Sequence, residues 1–171
     1  MSAKKSKLEN LIRDYLLDEG LLNEKISDSR YDFGFMFSYP PGPKSERMNV
    51  IKPKNKNWLF IIIQIQLSEK YANSLKSLKE NKGYQFFQDI RKYFLNKEVY
   101  FKIDLQKFKY DIHEQVFPDN NGNISKDIFF KRIQRVFYCF LFSNLLLGEY
   151  CSGKEISSSK FGPEFDLSLY S

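Results

Sequence analysis

His113 is the chain's single imidazole, so a serine or cysteine nucleophile would need it as its base. Its neighbours Asp111 and Glu114 read as ordinary charges flanking a strand, and no Gly-x-Ser-x-Gly elbow accompanies them. One histidine also excludes a multi-histidine metal centre. Cys139 and Cys151 are too few for a disulfide framework or an all-cysteine zinc site. Cys139 falls inside an apolar helical stretch, where a reduced cysteine packs as a small hydrophobe. Asp119-Asn120-Asn121-Gly122-Asn123-Ile124 puts oxygen-bearing side chains at calcium-loop spacing, with Asp119, Asn121 and Asn123 at ligand positions. The sixth position, which needs glycine for a sharp turn, is Ile124. The twelfth, which needs a bidentate glutamate, is Phe130. The segment reads as a turn. There is no glycine-rich phosphate loop. These residues predict no metal, no cofactor and no enzyme.

The basic residues offer a different chemistry. Lys+Arg 27 against Asp+Glu 21 gives a net charge of +6. Lys52, Lys54 and Lys56 mark one polar connection, and Lys79 and Lys82 a helical stretch; any of them could touch phosphate. Acids are interspersed among most of the basic positions, so nucleic-acid binding is the alternative reading and not the leading one.

The elements that would position these groups follow from hydrophobic periodicity. Leu8, Leu11, Ile12, Tyr15 and Leu16 lie on one side of a helix that Gly20 stops. Tyr31, Phe33, Phe35, Phe37 and Tyr39 alternate with Asp32, Gly34, Met36 and Ser38, which predicts a strand with an aromatic buried face. Pro40-Pro41-Gly42-Pro43 is a turn or loop. Residues 46–52 and 58–67 continue as strands of an antiparallel meander. A long helical stretch starts at the N-cap Ser68, with a break or bend at Asn81-Lys82-Gly83. Strands at 98–105 and about 110–117 follow. A third helix starts at Ser125 or Asp127 and reaches about Leu147. The order is α-β-β-β-α-β-β-α: an α+β fold, an antiparallel sheet with helices packed on one face. It forms one domain over residues 1–150, with a serine-rich tail over 151–171. No apolar run approaches the roughly 20 residues of a membrane span, and no signal segment opens the chain. The expectation is a cytoplasmic protein with no membrane association.

The first six elements also match the order of restriction-endonuclease-like nucleases. Those need an acidic residue on the second strand and an acid-x-Lys on the third to hold magnesium. The positions here are Met48-Asn49-Val50-Ile51 and Gln64-Ile65-Gln66, with no carboxylate and no lysine. Phe33-Gly34-Phe35-Met36 looks like part of an RNA-recognition strand, but the basic and glycine positions before it are Tyr31 and Asp32. A packed phenylalanine face is the simpler reading.

Apolar surplus is the more informative signal. Aromatic residues make up 17% of the chain. Leu59, Ile61, Ile63, Ile65 and Leu67 complete one apolar face of their strand. Trp58, Phe60 and Ile62 occupy the opposite face, which Met36 and Tyr100 share. Together they exceed what a monomer normally exposes. Either the tail, through Phe161, Phe165, Leu167 and Leu169, or a partner should cover them. The third helix is apolar around nearly its whole circumference. It is either the central helix of the core, which is the favoured reading, or meets a second subunit on one side. On the second reading Phe137 and Phe142 join the candidate partner or dimer surface.

Leu11-Ile12-Arg13-Asp14-Tyr15-Leu16, running into Glu19-Gly20-Leu21, resembles the opening of an archaeal family of uncharacterised proteins. Asp32-Phe33-Gly34-Phe35, Met48-Asn49-Val50, Phe86-Phe87, Val99-Tyr100-Phe101 and Phe129-Phe130 continue the likeness over about residues 8–150. The resemblance implies a type III secretion chaperone-like fold. Members of that wider fold bind protein segments on apolar patches and often form homodimers. It therefore implies an unknown protein partner or a homodimer, and no catalytic residues.

Overall fold

The computed structural model describes residues 6–152. Its elements are α1 (Lys7–Asp18), β1 (Leu22–Lys25), β2 (Tyr31–Tyr39), β3 (Glu46–Pro53) and β4 (Leu59–Gln66), then α2 (Glu69–Ser77) and α3 (Lys82–Asn96). They continue with β5 (Tyr100–Asp104), β6 (Lys109–Val116) and α4 (Lys126–Cys151). The α+β reading holds. The helix starts are set by local chemistry: the hydroxyls of Ser6, Ser68 and Ser125 each accept a first-turn backbone N–H. Gly20, at φ +65°, supplies the left-handed residue that ends α1.

The six strands form one antiparallel sheet in the order β1-β2-β3-β4-β6-β5. Two additions separate it from the sequence reading. β1 is a short extra strand on the β2 edge; four residues with a register shift carry too little alternation to be read. The helical stretch after Ser68 is two helices, split over residues 78–81, where Glu80 and Asn81 adopt positive φ. Among the described residues, no helix is long and apolar enough to cross a membrane.

The four helices lie on one face. Beneath them sit Phe33, Phe35 and Phe37 of β2, Val50 of β3, Leu59, Ile61 and Ile63 of β4, and Ile112 of β6, all buried. α4 is the central helix and packs on β4, β6, α2 and α3. That position explains its nearly all-round apolar surface. Phe137 packs edge-on against Tyr39, and Phe142 stacks on Tyr93 with ring centroids 3.6 Å apart. Both are buried. This is the core position favoured for the helix from its sequence; the assignment of the two rings to a partner or dimer surface is corrected. The calcium-like loop is a turn, in which the Asp119 carboxylate accepts the N–H groups of Asn121 and Asn123, each at 2.9 Å.

Gly83 marks the closest approach of α3 to α2. A Cβ there would overlap the carbonyl oxygen of Leu75. The obstacle is backbone, so it cannot rotate away. Gly83→Ala should destabilise by about 1–3 kcal/mol, seen as a lower melting temperature. An unchanged melt would show that the α2–α3 junction is not held this close.

Candidate functional site

Among the described residues no element covers the sheet face opposite the helices, and strand register assembles it. Glu24, Met36, Asn49, Ile62, His113 and Tyr100 pair successively across all six strands. At about 4.8 Å per strand, the part from Met36 to Tyr100 spans about 19 Å. The adjacent row is Gly34, Ile51, Phe60 and Gln115. Gly34 lies under Ile26, and a Cβ there would stand 3.2 Å from the Ile26 Cβ. A third row, Gln64, Asp111 and Lys102, is polar and bounds the apolar area.

Aromatic rings link the centre. Trp58, just before β4, packs on Phe60 with centroids 4.3 Å apart. Phe60 meets His113 edge-on at 5.0 Å, and His113 stacks on Tyr100 at 5.5 Å with ring planes 9° apart. Tyr100 is 53% exposed; Met36, Trp58, Phe60, Ile62 and His113 are half-buried. The structure thus brings together five of the seven surface candidates: Met36, Trp58, Phe60, Ile62 and Tyr100.

His113 is the residue that sequence reasoning missed. Its own alternation with Asp111 and Gln115 could place it on a face, but only pairing puts it beside Tyr100 and Phe60. Its Nδ1 lies 3.1 Å from Asp111 Oδ1, two residues away on the same face. A carboxylate in that position fixes the ring's orientation. This makes His113 a ring held flat in an aromatic row.

Glu114 differs from its sequence reading as an ordinary flanking charge. It points to the helix side, its side chain is 4% exposed, and it takes contacts from Arg132 and Arg135 of α4 at 3.1 and 3.2 Å. Nearby, the Tyr110 hydroxyl donates to Ser143 Oγ at 2.8 Å, and Ser143 donates on to the Phe140 carbonyl. Burial pushes the Tyr110 phenol up to about 12. Burial also pushes the Cys139 thiol up to about 12, far from the thiolate a nucleophile needs at neutral pH. Among the described residues, no group of three or more His, Cys, Asp or Glu side chains is placed to hold a metal ion.

The lysines do not converge. Lys52 is bound by Asp32 at 2.9 Å and by the carbonyl of Lys56. Lys54 and Lys56 are exposed beside it, in the turn before β4. Lys79 is exposed on the α2–α3 connection and Lys82 at the first residue of α3, beyond the other end of β4. At about 3.3 Å per residue, the length of β4 separates the two groups by roughly 25 Å.

Comparison with known proteins bears on the fold. The family model described as "Uncharacterized conserved protein (DUF2299)" matches residues 8–147. The chain belongs to this family. The matched range contains the whole sheet and nearly all of the four DUF2299 helices. A crystal structure of an uncharacterized protein from Methanothermobacter thermautotrophicus superposes with a TM-score of 0.73 at 21% identity, covering 82% of this chain and 96% of that one. At that identity the likeness shows a shared fold. No curated protein matches the chain.

Proposed function

We propose that this DUF2299 protein is a non-enzymatic protein-binding domain, whose open sheet face receives an apolar segment of another polypeptide. One observation carries the reading: Trp58, Phe60, His113 and Tyr100 form a connected aromatic row on the face that, among the described residues, no helix covers. The surface offers hydrocarbon and ring faces, bounded by the polar row of Gln64, Asp111 and Lys102. Such a surface gains from excluding water. The chaperone-like order of elements read from the sequence suits this role, with a second copy of the chain as one partner of the same chemistry. The lysines, split between two ends of β4, support a protein ligand over nucleic acid.

Trp58 is the chain's single tryptophan, so its fluorescence reports on this face directly. Titration with a carboxymethylated polypeptide that cannot fold should shift Trp58 emission to the blue. Trp58→Ser with Phe60→Ser should keep a cooperative melt and weaken binding of the labelled polypeptide at least tenfold. Loss of the folded state in that variant would make both residues core and end the proposal. A parallel titration with DNA and RNA over a salt series should show no steep salt-dependent binding.

A further inference from the structure

A second surface lies on the helix side, at the junction of α2, α3 and the β5–β6 turn. Leu75, Leu78, Tyr84, Phe87, Leu105 and Phe108 line a cavity of about 250 Å³ there. Its rim is basic. Lys76 lies over the Phe108 ring at 5.0 Å, Lys79 is exposed on the adjoining connection and Lys82 at the start of α3, with Glu80 the acid between them. Asn81, also in the lining, caps α3 in the left-handed conformation without a side-chain hydrogen bond, and the first turn of α3 holds no acid. That helix end favours negative charge.

The chain supplies a segment of the opposite character. α4 ends at Cys151 and packs on α2, the helix that carries Leu75. Tyr150 packs edge-on against Phe86, next to Phe87. The chain therefore leaves α4 beside the cavity. Residues 153–160 can span up to about 27 Å. Beyond them, Glu164, Asp166 and Ser168 alternate with Phe165, Leu167 and Leu169. An extended segment of this pattern has one acidic side and one apolar side. To reach Tyr100 and His113 it would have to round the edge of the sheet.

We propose that residues 161–170 dock in this cavity in cis, with Phe165 and Leu167 inside and Glu164 and Asp166 toward Lys76, Lys79, Lys82 and the start of α3. A tether this short gives an effective concentration of the order of millimolar, so an interaction weak in trans is largely formed in cis.

The test uses the full chain. Phe165→Ser with Leu167→Ser should speed amide hydrogen exchange in residues 75–87 several-fold, and leave β2 and β4 unchanged. A labelled peptide of residues 161–170 should bind that variant. Its affinity should fall at least tenfold on Lys76→Glu with Lys82→Glu, and recover with a peptide carrying Glu164→Lys and Asp166→Lys. Unchanged exchange at 75–87, or peptide binding indifferent to the charge swap, overturns the proposal. Protection at 75–87 that grows with protein concentration assigns the groove to a second copy and overturns docking in cis. Trp58 lies on the open sheet face, so failure here leaves the reading of that face standing.

Discussion

Phe94→Ala should destabilise the protein by about 3–5 kcal/mol, whereas Tyr100→Ala should cost less than about 1 kcal/mol. Phe94 is 0% exposed and its ring meets Tyr93, Phe101 and Tyr110 at 5.5 to 6.3 Å. Truncation there removes a full ring and leaves a void that α3, β5 and β6 can close only by shifting toward one another. Tyr100, at the start of β5, points to the open face and keeps its contact with water. Truncation loses a stack on His113 but opens no cavity. Denaturant titration of the two variants measures the difference. A comparable loss at both positions would mean that the second face is packed too, which would remove the binding surface.

Removing Arg132 and Arg135 together should cost about 3–5 kcal/mol, more than Glu114→Gln, for which about 2 kcal/mol is expected. The asymmetry comes from burial. The Glu114 side chain is 4% exposed, while those of Arg132 and Arg135 are 37% and 44% exposed. Without glutamate, the guanidinium groups turn to water. Without arginines, a carboxylate is left in the core with no partner charge, under α4 and between Ile112 and Val116. Urea midpoints of the three proteins decide this. Equal losses would place the ion pairs at the surface.

Much of the positioning was legible in the chain because it is local. Ser68 and Ser125 cap helices from within one turn, and Gly20 ends one. The alternation of Phe33, Phe35 and Phe37 against Met36 assigns each to a face of its strand. Trp58, Phe60, Ile62, Met36 and Tyr100 were found by the same parity argument, since a residue's side of a strand depends on position alone. Phe137 and Phe142 were not resolved that way. A helix apolar on all sides has no preferred face, and only the packing of α3 and the β2 end around α4 buries both rings.

The first residues considered, His113 and its neighbours, separate the two kinds of information most clearly. The sequence by itself determined that the chain has one imidazole, two cysteines and no motif for metal or phosphate, and that its strands carry apolar side chains on both faces. Tertiary structure decided what Asp111, His113 and Glu114 do. The β5–β6 hairpin stacks His113 on Tyr100, and the entry of β6 between β4 and β5, out of chain order, sets it against Phe60. The same strand turns Glu114 inward, where two arginines one helical turn apart on α4 meet it. The physical reason is range: capping and alternation act over a few residues, whereas strand insertion joins groups far apart in the chain through hydrogen-bond register that no local pattern encodes.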